Sequence, residues 1–160
     1  MLKNQLVSVL LLVLSKSVLA FDYSAYPLQN VDEIITEGRA MATESRTGVE
    51  IMIPPKKFSF DGRLESLPSS CKPDFLFRVM RVQGFTPEQL PPINNCLLIR
   101  SPRGEVLTAF IQDTVAAFLK KEVQAGAPVR FYVMYVFFGQ KTQLPVFLVS
   151  EFQAANDAAP

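Results

Sequence analysis

The stretch RFYVMYVFF, from Arg130 to Phe138, is apolar on both of the faces that a β-strand would present. Alternate strand residues point to opposite sides, so the two predicted faces are Phe131, Val133, Tyr135 and Phe137, and Tyr132, Met134, Val136 and Phe138. A strand with one side in water would instead alternate with polar residues. Either the apolar stripe of a preceding helix covers the second face, or Tyr132, Met134 and Phe138 form an exposed patch that binds a partner protein.

A helix is predicted near the start of the mature chain. Asn30 followed by Glu33 is typical of a helix N-terminus, and Gly48 can end the helix. The apolar stripe of this helix comprises Val31, Ile34, Ile35, Met41 and Ala42. Its other face is polar and mostly acidic, with Asp32, Glu33, Glu37, Arg39 and Glu44. The stripe needs a surface to pack on, and the strand at Arg130 offers one.

Two stretches between this helix and Thr86 are predicted to be extended. The sequence FSFDGRLE permits a hairpin turning at Asp61 and Gly62, or one bent strand with a bulge at Gly62. The short arms of such a hairpin favour the single strand. A second apolar run, FLFRVMRVQGF, is also predicted as a strand, so either Phe58–Leu67 or Phe75–Phe85 is the first strand of the main sheet.

The rest of the chain alternates strands and one helix. A proline-rich loop occupies Thr86–Asn95. Beyond it we predict two strands within residues 96–112 joined at Ser101–Gly104, a helix within 113–126, and strands within 129–138 and 145–152. The order is therefore strand, strand, strand, helix, strand, strand, with one helix in front.

This element order resembles the OB-fold, a five-stranded Greek-key barrel with a helix between its third and fourth strands. The predicted fold class is accordingly mainly β, with an additional N-terminal helix. The predicted division of the chain is a signal peptide at 1–20, a helix and extended segment at 21–56, the OB-fold-like domain at 57–153 and a tail at 154–160. The resemblance says little about function, because OB-folds serve many unrelated roles.

The first twenty residues, MLKNQLVSVLLLVLSKSVLA, have the pattern of a secretory signal peptide. Lys3 precedes an apolar run from Leu6 to Leu14, and Val18 to Ala20 resembles a cleavage site. This run has nine residues, eight of them apolar, and is too short to span a bilayer, so we expect no stable membrane span after cleavage. The expected location is the periplasm or the extracellular space. Cys71 and Cys96 are then expected to form a disulfide.

The composition excludes several kinds of chemistry. There is no histidine, which excludes Ser-His-Asp and Cys-His catalysis and the usual zinc sites. The sequence also contains no Gly-rich phosphate-binding loop. We therefore expect no cofactor and no metal. Removing Lys3 and Lys16 with the signal peptide leaves 14 basic against 15 acidic residues, so the mature chain lacks the basic excess of a general nucleic-acid binder.

Several arginines lie in or beside predicted strands. An OB-fold resemblance implies a ligand across the second and third strands, where cations and aromatic rings could hold an anionic oligosaccharide or oligonucleotide. The candidate ligand-binding residues are Arg78, Arg81, Arg100, Arg103, Phe77 and Phe110. The alternative is that these arginines are solvated surface residues.

Three functional hypotheses follow. The first is a non-enzymatic, exported binding domain that contacts another cell-envelope protein, as an accessory of a secretion or conjugation assembly. Its expected contact surfaces are the outer face of Arg130–Phe138, the Thr86–Asn95 loop and the acidic face of the first helix. The second is a binding module for an anionic glycan or oligonucleotide. The third is a secreted hydrolase that uses carboxylates, which needs two converging carboxyl groups.

Overall fold

The computed structural model describes residues 21–44 and 51–154. The predicted signal peptide and the helix stop at Gly48 lie outside these residues. The helices are α1 (Val31–Glu44), α2 (Asp74–Val82) and α3 (Asp113–Glu122). The strands are β1 (Ile51–Ser70), β2 (Asn95–Arg100), β3 (Val106–Ile111), β4 (Pro128–Gly139) and β5 (Leu144–Ala154). Two short 3-10 turns, Tyr23–Ala25 and Pro87–Gln89, complete the described elements.

The five strands close into a barrel in the order β1-β2-β3-β5-β4, with β4 returning to β1. All neighbouring pairs are antiparallel except β3 and β5, which run parallel. The predicted five-stranded barrel is confirmed, with α3 between β3 and β4 and α1 in front. This mixed barrel is consistent with an OB-fold without being specific to it.

The first strand is one long bent strand, as the sequence favoured. Residues 51–63 of β1 pair with β4 and residues 63–70 pair with β2. The expected bulge at Gly62 is absent there, because Asp61, Gly62 and Arg63 pair with β4 in unbroken register. Gly62 instead allows close packing, since a Cβ on it would lie 2.9 Å from Cγ2 of Ile99. The choice for the first barrel strand therefore falls on the Phe58–Leu67 region.

The segment Phe75–Phe85 is not a strand, so that prediction was wrong. Its first part is the helix α2, inserted between β1 and β2. Leu76, Val79 and Met80 are buried at helical spacing and pack on the outer surface of β4 and β5. Burying one stripe against the barrel decides the structure of a short segment whose apolar pattern suits either helix or strand.

Three different segments cover the second face of β4. Met134 lies in a cluster with α2, Phe138 contacts Gly38 of α1, and Tyr132 contacts the rings of Tyr23 and Tyr26. All three side chains of the proposed partner patch are buried: Tyr132, Met134 and Phe138. The chain itself thus covers this face, and α1 supplies only part of the cover.

An irregularity in β4 explains why α2 can take part. Tyr135 is opposite Phe147, and Phe137 is opposite Val146, so Val136 is one extra residue in β4. Such a bulge interrupts strict alternation. Tyr135 faces the barrel interior like Phe131 and Val133, whereas the bulge lets the successive residues Val136 and Phe137 both pack under α2.

The other two helices pack on the main core. Val31, Ile34 and Ile35 of α1 are buried there, whereas Met41 is exposed. α3 packs against β1 and β5 through the buried residues Val115, Ala116 and Leu119. Among the residues described, no helix is long and apolar enough to cross a bilayer.

Candidate functional site

The outward surface of α2 is unusually apolar for a helix face in water. At 100° per residue, five residues lie outside the buried stripe of Leu76, Val79 and Met80, with the arginines opposite it and the apolar residues on its flanks. We name these residues the α2 outer arc: Phe75, Phe77, Arg78, Arg81 and Val82. Asp74 begins the helix on the same side. Surface helices normally present mostly polar residues outward. The exposed fraction is 37% for Phe75 and 65% for Val82, so two large apolar side chains meet solvent together here.

A cavity of about 480 Å³ lies between this helix and the proline-rich loop. We name it the α2 pocket; its lining is Phe77, Arg81, Leu90, Pro91 and Pro92. Four of these five side chains are apolar and one carries a guanidinium. Ligand pockets are typically apolar, with a few polar groups, and measure roughly 300–1,000 Å³. The α2 pocket therefore has the size and lining of a binding site.

Hydrogen bonds and a turn define the C-terminus of α2. At its C-terminus Gly84 adopts φ +93°, and its N–H donates to the carbonyl of Arg81 at 3.0 Å. The N–H of Phe85 donates to the carbonyl of Met80, also at 3.0 Å, which completes a Schellman motif. Glycine accepts this left-handed conformation without the steric cost that other residues meet.

The loop that carries the α2 pocket is tied to the barrel at two points. The predicted disulfide between Cys71 and Cys96 is confirmed, with a Cα–Cα distance of 5.7 Å. The carboxylate of Asp113 accepts hydrogen bonds from the backbone N–H and side-chain amide of Asn94 and from the amide of Asn95. The Asn94 side-chain bond in particular lowers the pKa of Asp113 below its usual value.

The predicted ligand-binding arginines lie on two separate elements. Arg78 and Arg81 are on α2, whereas Arg100 ends β2 and Arg103 lies in the turn after it. Arg100 donates to both carboxylate oxygens of Glu65, at 2.8 and 2.6 Å. These bonds lower the pKa of Glu65 and raise that of Arg100. The structure does not gather the predicted cations into one surface.

Two other arginines of the fold also have carboxylate partners. Arg130 donates to both oxygens of Asp61, at 2.8 and 3.0 Å, and this side-chain bond raises the pKa of Arg130. Arg39 of α1 pairs with Glu105 at 2.8 Å. In the described part of the chain, no carboxylate lies within ion-pair distance of Arg81.

Two carboxylates, Asp32 and Asp61, line a second cavity of about 530 Å³ together with Arg103. Asp32 is only 4% exposed and accepts from the hydroxyl of Ser101 at 2.6 Å and the backbone N–H of Arg103 at 3.2 Å. Asp61 is held by Arg130. Both carboxylates of this cavity are therefore occupied by groups of the fold. Among the residues described, no group of three His, Cys, Asp or Glu is placed to hold a metal ion.

The two predicted aromatic residues both lie near α2. Phe77 lines the α2 pocket, and Phe110 lies on β3. Both are partly buried against the cluster beneath α2. Arg78 lies over the ring of Phe75, 5.7 Å from its centroid.

Sequence reasoning missed Phe75 and Val82 as candidate site residues. It placed Leu90–Pro92 within the expected contact loop Thr86–Asn95, but it did not identify them as the wall of a pocket. The signals for α2 were present, because Pro73 and Asp74 are favoured at a helix start and Gly84 at a helix end. A helical reading would have placed Phe75 and Val82 on one exposed face.

Comparison with known proteins gave no matching protein-family model and no matching curated protein.

Proposed function

We propose that this chain is an exported, non-enzymatic binding domain that contacts another protein of the cell envelope. The periplasm or the extracellular space is the location that the signal-peptide pattern favours. The disulfide agrees with an oxidising compartment.

One observation carries the proposal: the α2 outer arc combines exposed apolar side chains with arginines. Arginine and large apolar or aromatic residues are the types enriched at protein interfaces, and exposed apolar patches mark interaction sites. The arc borders the Thr86–Asn95 loop, one of the three contact surfaces expected from the sequence. As a candidate contact surface, the α2 outer arc takes the place of the outer face of β4, because other segments of the chain bury that face.

Site-specific photo-cross-linking in the native host tests this proposal. A photoreactive benzoylphenylalanine replaces Val82 on α2 in one strain and Phe118 on α3 in another. The two positions are a matched pair, since both are exposed apolar residues on helices, at 65% and 57% exposure. We expect Val82, and not Phe118, to cross-link to one cell-envelope protein identified by mass spectrometry.

Binding by purified proteins completes the test. The captured protein should bind the wild-type domain and should lose affinity by about tenfold or more for Val82→Glu, because a carboxylate then enters an apolar contact. Phe118→Glu should bind like the wild type. Equal cross-linking at both positions, or equal affinity of both variants, would contradict the proposal.

An anionic glycan or oligonucleotide ligand is the second candidate, and the exposed Arg78 and Arg81 are its support. Such a ligand would bind with a strong salt dependence through phosphate or carboxylate groups. Arg100 contributes less to this alternative than expected, because Glu65 already occupies its guanidinium. A carboxylate-dependent hydrolase remains the third hypothesis.

A further inference from the structure

The α2 pocket has walls that are fixed before any ligand binds. Pro91 and Pro92 have restricted backbone torsions. Phe77 and Leu90 pack against the apolar cluster beneath α2, which holds their side chains in place. A preformed pocket binds at a lower entropic cost than one that must be ordered by its ligand.

The single charged group of the pocket, Arg81, has hydrogen-bonding capacity to spare. Its Nε donates to the carbonyl of Phe77 over a long 3.4 Å. Arg39, Arg100 and Arg130 each hold a carboxylate of the fold. Within the described residues no carboxylate is placed to pair with Arg81, although a guanidinium has five N–H donors and binds carboxylates with two of them at once.

These features define a complementary ligand. We infer that the α2 pocket binds a large apolar side chain of the partner protein, and that Arg81 binds a carboxylate adjacent to that side chain. The inference rests on the proposed docking function and names the chemistry of the docked segment. That segment is a stretch of polypeptide in which a large apolar residue neighbours an Asp or Glu.

Two small probe molecules distinguish the contribution of the apolar group from that of the carboxylate. The probes 4-phenylbutanoate and 4-phenylbutylamine share one apolar group and carry opposite charges. Amide chemical-shift titrations on the ¹⁵N-labelled protein should show the carboxylate probe binding with a Kd on the order of 1 mM. The perturbed amides should lie within residues 77–92, and the amine probe should bind at least about fivefold more weakly.

Matched variants identify the cation. Arg81→Gln should weaken binding of 4-phenylbutanoate by about fivefold or more. The affinity of Arg81→Lys should lie between those of the wild type and Arg81→Gln, because lysine keeps the charge without the planar guanidinium. Arg78→Gln is the control: it removes the same charge from the same helix outside the pocket lining. Arg81 is exposed, so all three variants should retain the wild-type spectrum of the barrel residues.

Several results would overturn the inference. They are equal affinity for the acid and the amine, equal losses in Arg81→Gln and Arg78→Gln, shifts outside residues 77–92, or no binding of either probe. If Val82 cross-links specifically while the probes fail, the docking function stands and this chemistry is wrong. If the probes bind as expected while Val82 captures no partner, the pocket chemistry holds and the docking function is wrong.

Discussion

At the scale of single residues, Asp32 is a buried carboxylate that joins two distant parts of the fold. It lies in the first turn of α1 and accepts from Ser101 and Arg103 of the turn between β2 and β3. The hydroxyl of Ser101 also accepts from the backbone N–H of Glu105 at 3.2 Å. This arrangement closes the turn and fixes α1 on the barrel.

Ser101→Ala should therefore destabilise the protein by about 1.5–3 kcal/mol, because it leaves a buried carboxylate without one of its donors. Urea unfolding followed by circular dichroism measures the free energy of unfolding. Ser69→Ala, at an exposed position of β1, is the control and should change it by less than about 0.5 kcal/mol. Equal effects of the two substitutions would show that the Asp32 contact contributes nothing.

Tyr135 is a second residue whose buried polar atom affects the stability of the protein. Its ring packs against Phe147 in the barrel core, and its hydroxyl is buried without a hydrogen-bond partner among the described residues. Tyr135→Phe should stabilise the protein by about 1 kcal/mol, because it removes an unsatisfied buried group. Tyr132→Phe is the contrast and should destabilise it, since Tyr132 donates to Gln153 at 3.0 Å. A loss of stability in Tyr135→Phe would contradict this reading.

The same residue gives a pH dependence with a definite sign. Burial, and next the charge of Glu37, raise the pKa of Tyr135 above its ordinary value of 10. The unfolded state then releases the phenolic proton at lower pH than the folded state, so stability is lost as the pH rises above about 10. Unfolding at pH 8 and at pH 10.5 should show a smaller alkaline loss for Tyr135→Phe than for the wild type. Equal losses would mean that Tyr135 does not cause the pH dependence.

At the scale of elements, the C-terminus of α2 depends on one glycine. Gly84 has φ +93°, and a Cβ there would meet no other atom within 4 Å, so the cost of substitution is conformational. Gly84→Ala should destabilise the protein by about 1–2 kcal/mol and should weaken the binding of 4-phenylbutanoate.

Gly104→Ala separates these two effects. Gly104 has φ +96°, also with open space around it, in the turn between β2 and β3. Gly104→Ala should lower the free energy of unfolding by a similar amount and should leave the affinity of the α2 pocket for 4-phenylbutanoate unchanged. If both variants bind the probe equally well, the end of α2 does not position the pocket.

The strands of the barrel were predictable from apolar runs bounded by turn residues, although β4 shows no alternation because both of its faces are buried. β2 and β3 follow from the apolar runs on either side of Ser101–Gly104, and the pattern of α3 gives a helix between β3 and β4. The short segment 75–82 has apolar residues that fit both periods. Pro73, Asp74 and Gly84 favour a helix, and the packing of Leu76 and Met80 on the barrel stabilises it.

The candidate site was less predictable than the fold, since it depends on contacts between segments. Phe77 and Arg81 were candidates from the sequence, but their pocket needs Leu90 and the prolines beside it to form. Arg100 was a candidate too, and only the structure reveals that Glu65 on the neighbouring strand pairs with it. Cross-strand register decides such pairs, and a single sequence does not fix that register.

At the scale of the whole molecule, the chain is a closed barrel with one inserted loop that carries the α2 outer arc and the α2 pocket. Cys71 follows β1 and Cys96 lies in β2, so the disulfide joins the two ends of this insertion. The 25-residue separation restricts the unfolded chain. Within the native state, the same bond keeps α2 close to the sheet it packs on.

Replacing both cysteines, Cys71→Ser with Cys96→Ser, should lower the free energy of unfolding by about 3.5 kcal/mol, because the unfolded chain regains the entropy of the open loop. Reduction of the wild type by dithiothreitol should give the same loss, and the double variant should not respond to the reductant. Changes in amide chemical shift between the oxidised and reduced wild type should concentrate in residues 71–96 and should be absent from the interior residues of β4 and β5. Equal stability of the two redox states would mean that the barrel holds the inserted loop without its covalent link.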